Sequence, residues 1–470
     1  MSNKRQKVET GRVLVPKELS LYSLEELGSQ SPGTPFGNRI VGVQASPDQA
    51  CVYMAAGQRV HVVRVELGKG DAGAGKEDVL LPRRSQLKFP TKHCPALCAQ
   101  AEIQSLSLAQ LNQGQRTALV SMDARGRGLM SVASSSSLAS GAGLPDASGE
   151  QPQHSSLRKG GSSQNGEWHC VGSSDSNISA NDSSALGSAV PTFVLTPPGR
   201  VEAGWSGACM HEIPSSGGEV ATTTACHFGQ CLNFYQGDRL IRAVHTLHPP
   251  SALVLLPRGE WGQGGLEDVV ACAEGHQVSL WDVRQGSRGG LIQRTSIAPG
   301  GSPVFDLAWC RAQGGLLGAA GAERAVTMLE PRKGFGIVHK WSGCAKYTIH
   351  HLGFSDVDPH WAYVAGLDSE VVCGRWDGGG ATCSGNSNSS TGGHGRAAGP
   401  VKKRESKENE EDAAAHPKAG TGSIKFRGPA RWSGMSLMAK SAFRGEGAEH
   451  DLVAAATQTH HMFLLDVAAQ

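Results

Sequence analysis

Apolar and polar positions along the chain repeat a single layout: a short apolar run, a tight polar break, and a second short apolar run. Val269–Val283 (VVACAEGHQVSLWDV) and Val453–Val467 (VAAATQTHHMFLLDV) align without a gap and both close in Asp-Val. Leu317–Pro331 keeps the layout, with Leu329-Glu330 in the closing place. Tyr53–Val65, Val120–Val132 and Thr222–Tyr235 are weaker copies, and Tyr363–Asp377 ends in Trp376-Asp377 after one additional residue. Two alternating segments joined by a turn read as a β-hairpin.

A further alternating segment precedes most copies. Ile40–Val43 runs into Ser46-Pro47-Asp48, Val304–Trp309 into Gln313-Gly314-Gly315, and Ile349–Phe354 into Asp356–Pro359. Trp-Ser-Gly at 205–207, 341–343 and 432–434 is read as the opening of a unit each time. Seven units result, at 38–66, 101–133, 203–241, 251–297, 303–340, 347–377 and 431–467. Three strands are visible in each, with a variable fourth outermost. Alternating helical segments are absent, which argues against a parallel α/β sheet.

Units of this length closing in Trp-Asp mark a propeller blade. On Trp281-Asp282, Trp376-Asp377, Leu329-Glu330 and Leu465-Asp466, the chain resembles the WD-repeat family. The resemblance implies an all-β fold, a single β-propeller of seven blades. Gly275-His276 falls inside a hairpin turn, not upstream where that family's Gly-His pair stands. One small sheet cannot cover its own faces, so blades must stack around an axis. Ala271, Ala319, Ala320, Ala455 and Ala456 suit the crowded contacts between them. Arg12-Val13-Leu14-Val15 is expected to close the ring as the outer strand beside Met462–Val467, leaving no open edge there.

Composition adds two interruptions. The tract 134–200 contains Ser134–Ser137 and Gly160-Gly161-Ser162-Ser163. The tract 378–427 contains Gly378–Gly380, Asn386–Ser390 and a charged run from Lys402 to Asp412. Neither carries enough apolar surface to offset its ordering entropy, so both are expected to be long disordered insertions in one domain, spacer for most of their length. The map is a basic tail over 1–10 and a propeller over 11–467 interrupted by these tracts.

Charge narrows the partners. Forty-four Lys and Arg against 42 Asp and Glu give a net charge of +2, so there is no general drive toward nucleic acid or anionic membrane. No direct nucleic-acid binding is expected. No apolar run reaches the roughly 18–20 residues that span a bilayer, and no apolar stretch follows the basic N-terminus, so neither a membrane span nor a secretory signal is expected. The 12 Cys are scattered singly through apolar runs, as expected of a reduced, intracellular chain. Two basic clusters, Lys4-Arg5-Gln6-Lys7 and Lys402-Lys403-Arg404, read as candidate nuclear-import signals. The acidic Glu408–Asp412 run beside the second counts against nucleic-acid binding there.

Catalytic patterns fail on inspection. Gly70–Lys76 has P-loop spacing, but Glu77 replaces the Ser or Thr that would hold magnesium. Gly204-Trp205-Ser206-Gly207-Ala208 begins like a nucleophile elbow and lacks its closing glycine. Cys94 with Cys98, and Cys226 with His227 and Cys231, are half-sites without a second pair. His350-His351 and His460-His461, placed in strands, point to opposite faces. No enzyme activity, metal or cofactor is expected.

The sharpest local feature is Trp281-Asp282-Val283-Arg284. It resembles the Trp-Asp-x-Arg box by which some WD-repeat proteins dock on the adaptor of cullin–RING ubiquitin ligases, which implies Asp282 and Arg284 as contacts. The alternative is a core tryptophan with Asp282 and Arg284 paired locally. The functions expected are therefore a protein-interaction scaffold in a nuclear complex and, second, a ligase substrate receptor.

Overall fold

The computed structural model describes residues 12–24, 27, 37–68, 79–134, 192–199, 204–213, 219–257, 269–285, 290–298, 300–312, 315–378, 423–440 and 450–469. These form seven antiparallel blades arranged as a ring. Each copy of the repeat is the second and third strands of one blade, from Gln49–Ala56 with Arg59–Glu66 in blade 1 to His450–Thr457 with His461–Ala469 in blade 7. The innermost strands are Ile40–Ser46, Ile103–Leu111, Ser206–Ile213, Pro250–Leu255, Val304–Cys310, Ile349–Phe354 and Trp432–Leu437.

Among the described residues seven apolar layers hold the ring, one between each pair of neighbouring blades. Strand alternation causes this, because successive side chains face opposite neighbours. In blade 7, Val453, Ala455 and Leu465 pack toward blade 6, while Ala454, Ala456 and Leu464 pack toward blade 1. Ala271, Ala319, Ala320, Ala455 and Ala456 are all buried in these layers. The layer between blades 3 and 4 is built on Trp205, Phe234, Cys272 and Trp281.

The ring closes through both ends of the chain. Leu14–Ser23 pairs antiparallel with His461–Ala469 as the fourth strand of blade 7. The pairing of ends agrees with the sequence reading, but its register differs. Pro16–Tyr22, not Arg12–Val15, lies opposite Met462–Val467. Leu19 and Tyr22 are the buried anchors there, whereas exposed Val13 precedes the strand. A strap over residues 79–93 then crosses the seam. Leu80 donates its amide to the Lys425 carbonyl at 2.7 Å, Arg83–Arg84 pairs with the closing strand, and Lys92–His93 completes blade 1.

Other readings need correction. The outer strands of blades 2 and 6 are Thr192–Leu195 and Ile424–Arg427. The last residues of both tracts read as spacer are therefore ordered strand, and most of the remainder of each tract lies outside the described residues. Trp341-Ser342-Gly343 does not open a blade, since Trp341 and Ser342 end the outer strand of blade 5. Trp376-Asp377 is not in the place of Trp281-Asp282. Trp281 lies opposite Val270, whereas in blade 6 Gly374 lies opposite Ala362 in the corresponding register. The Trp341 indole occupies the space a side chain at Gly374 would need, so the tryptophan over that position comes from the neighbouring blade. His460 sits in a turn with positive φ, and only His461 is in a strand.

Candidate functional site

Apart from the short pairing of Val43–Gln44 with Ala439–Lys440, the inner strands run side by side outside the sheet ladders, so their backbone edges need other partners. Small polar side chains provide them. Ser105 and Ser107 donate to the carbonyls of Ser206 and Ala208, Ser251 to that of Val304, and Asn38 to that of Met435. Asp306 accepts the amides of Leu307 and Leu352 at 2.9 and 2.7 Å. Its carboxyl is pushed up to about 7 by burial against the pull of those two amides. His350 lies flat on Phe305, with ring centroids 5.2 Å apart. Burial, reinforced by His350, drops His351 to about 3. These groups line the central channel and serve the blade-to-blade seams. Ser206 likewise donates to the Asp123 carbonyl at 2.7 Å, so it is a seam residue.

The thiols are also structural. Cys94 is buried, and Cys98 donates to its carbonyl. Cys226 and Cys231 stand directly opposite each other across one hairpin, and His227 Nδ1 sits 2.8 Å from the Pro250 carbonyl. Among the described residues no group of three His, Cys, Asp or Glu side chains is placed to hold a metal ion. Gly70–Lys76 lies outside the described residues, as do Lys4, Arg5, Lys7, Lys402, Lys403 and Arg404.

Trp281 is buried, its indole N–H donating to Ser279 at 2.8 Å. Asp282 and Arg284 meet in a two-bond fork, Nε to Oδ1 at 3.0 Å and Nη2 to Oδ2 at 3.1 Å, with the Arg284 amide also on Oδ1. The Asp282 side chain is 11% exposed and that of Arg284 50%. Burial works to raise the Asp282 carboxyl, and Arg284 with Arg242 holds it below its usual range. Arg242, from blade 3, lies over the Phe234 ring and donates to the carbonyls of Asp282 and Gln285. The segment is clasped locally from two sides. Asp377 is similarly engaged by Arg375 and His360, and Asp466 by His450 Nδ1 at 2.9 Å.

Blade topology sorts every loop onto one of two ends. Turns between second and third strands share one end with the connections between blades. First-to-second and third-to-fourth connections share the other. Asp282 and Arg284 lie on the second end, as do Ser134, Gly378 and the start of the closing strand at Leu14. We call this the excursion face. Among the described residues, the opposite, short-turn face carries three exposed large apolar side chains: Phe228 at 67%, Leu247 at 57% and Tyr347 at 46%.

Phe228 tops the turn of blade 3 and Leu247 the connection to blade 4. His248 and His276 follow, with rings 5.4 Å apart. Tyr347 lies on the connection from blade 5 to blade 6, under the Lys346 ammonium at 5.5 Å. Glu274, buried beneath, receives the amides of Leu247 and His248 at 2.6 and 3.2 Å and so fixes that loop. Nothing in the sequence reading singled out these residues. Each is a lone apolar residue in a polar turn, and only ring closure brings them to one face.

No known protein family and no curated protein matches the chain by sequence. Among solved structures, Raptor of Chaetomium thermophilum is similar over 98% of this chain and 29% of its own, with TM-score 0.50 and 7% identity. Sqt1 of Saccharomyces cerevisiae is similar over 96% of this chain and 100% of its own, with TM-score 0.50 and 11% identity. At such identities the likeness shows the fold alone: the chain is a seven-bladed β-propeller.

Proposed function

We propose that this propeller is a non-catalytic, WD-repeat-type platform that docks protein partners in a nuclear complex, using its short-turn face. The observation that carries the reading is the exposure of Phe228, Leu247 and Tyr347 around one end of the ring. Exposed aromatic and aliphatic side chains on a rigid, polar-rimmed surface are typical of protein-interaction sites. Trp281-Asp282 closing the third strand of blade 4 supports the WD-repeat assignment, and the seam roles of Ser206 and Asp306 favour a structural over a catalytic use of the channel. The two basic clusters, at Lys4-Arg5-Gln6-Lys7 and Lys402-Lys403-Arg404, support the nuclear placement. Neutralising both should shift a fluorescent fusion out of the nucleus.

Docking through Phe228 and Leu247 is tested with a tagged full-length chain and its Phe228→Asp/Leu247→Asp variant, both checked for an unchanged melting temperature. Partners that co-purify stoichiometrically with the parent should be lost from the variant. Equal recovery contradicts the reading. The half-exposed Arg284 guanidinium supports a second reading, a ligase-adaptor contact through Asp282 and Arg284. Such a contact would have to share or open the fork that Arg284 makes with Asp282.

A further inference from the structure

We infer that the short-turn face takes an acidic segment of its partner, one in which carboxylates flank an aromatic or leucine side chain. This rests on the docking reading above and adds the chemistry of the ligand. Charge is disposed unevenly between the two ends. Arg59, Arg125, Arg324, Lys346 and Arg431 all lie on this face and are exposed. Among the described residues, most carboxylates of the same end are turned inward or already engaged; Asp368, in the turn of blade 6, is the half-exposed exception. Asp123 is buried and accepts the amides of Arg125 and Arg127 at 2.9 and 3.0 Å, so the turn itself consumes the acid and displays the guanidinium. Glu274 is buried under Leu247 and bonded to Arg294 at 3.3 Å. Glu102 pairs with buried Arg39 at 2.9 Å, and Glu323 with Lys340 at 2.5 Å.

The whole chain is close to neutral, at +2, so the positive field here arises from sorting and not from composition. Arg125 in the turn of blade 2 on one side, and Arg324 with Lys346 at blade 5 on the other, bracket the apolar sector of blades 3 and 4. Arginine forks bind carboxylates in pairs of hydrogen bonds, while Phe228 and Leu247 offer the apolar anchor that such charges alone lack. On the excursion face the charges are instead paired locally, as in Arg284 with Asp282, Arg375 with Asp377, and Arg311 with Asp356 at 3.4 Å.

Fluorescence anisotropy with the full chain tests this. The probe is a labelled 12-residue peptide alternating Glu or Asp with Phe or Leu; its Lys-for-acid counterpart and a 12-nucleotide oligouridine are comparators. The acidic peptide should bind, and bind more weakly as salt rises. Arg125→Glu/Arg324→Glu should weaken it at least tenfold, and the neutral Arg125→Gln/Arg324→Gln by a smaller factor. Arg239→Glu/Lys333→Glu, reversing two charges on the excursion face, should leave it unchanged. No binding of the acidic peptide, equal loss in both reversal variants, or tighter binding of the Lys peptide or the oligouridine overturns the inference. If it falls while Phe228→Asp/Leu247→Asp still abolishes partner recovery, the docking reading survives and only the ligand chemistry is wrong.

Discussion

The two ends of this propeller are built from the same strands and differ in how they end. On the excursion face, side chains finish one another's valences: Arg284 forks onto Asp282, Arg242 clasps the same turn, and Arg375 and His360 share Asp377. On the short-turn face, Asp123 and Glu274 are drawn under the surface to hold turns, leaving arginines, histidines, Phe228, Leu247 and Tyr347 outward. Satisfied groups stabilise the fold, whereas displayed ones are available to a partner. The difference separates the residues whose loss should unfold the protein from those whose loss should only silence it.

Removing the closing strand should give the largest effect, because both ends depend on the closed ring. Deleting residues 1–23 would expose the edge of His461–Ala469 and the apolar surface that Leu14, Leu19 and Tyr22 cover. A large fall in melting temperature, with aggregation, is expected by calorimetry. Melting like the full chain would mean that closure contributes nothing.

Next comes Trp281→Ala. The indole fills the layer between blades 3 and 4, and truncating a buried aromatic costs about 3–5 kcal/mol. Urea unfolding should show that loss. A change below about 1 kcal/mol would mean the layer repacks and the tryptophan is not its anchor.

Acid should act through buried histidines. His351 is held neutral in the fold down to about pH 3, and burial similarly lowers His61 to about 4. In the unfolded chain both protonate near 6.5. Between these values the unfolded state binds more protons, so stability falls as pH drops from 6.5 toward 4. Asp306 opposes this: its raised pKa makes folding bind the extra proton between about 4 and 7. His351→Gln isolates the histidine share. The stability difference between parent and variant should shift against the parent by about 1 kcal/mol per pH unit below 6.5. A pH-independent difference would remove His351 from the account.

Smallest is Arg284→Ala. Its guanidinium is half exposed, and such pairs are worth about 0–1 kcal/mol, so the melting temperature should barely move. If partners are nevertheless lost in that variant, a docking role shifts to the excursion face and the asymmetry fails.

Much of this was visible along the chain, and what was hidden has physical causes. The second and third strands of the blades are short, mostly apolar runs on either side of a tight polar turn, which made the seven hairpins legible. Outer strands are short and half-exposed, so Thr192–Leu195 and Ile424–Arg427 vanished among Ser, Gly and Lys neighbours. In blade 6 the Trp-Asp pair misled, because the tryptophan over Gly374 comes from Trp341 in another blade. The β-branched Val13 and Val15 suggested a closing register that buried Leu19 and Tyr22 overrule. Asp282 and Arg284 were legible as neighbours two residues apart. Phe228, Leu247 and Tyr347 were not, since their proximity to one surface exists only after the ring has closed.

The most direct test is hydrogen exchange of the full chain with a purified, stoichiometric partner. Protection should concentrate in the turns around 227–230, 246–248 and 343–348, with 283–285 and 376–378 unchanged. Protection confined to 283–285 and its neighbours on the excursion face would contradict the account.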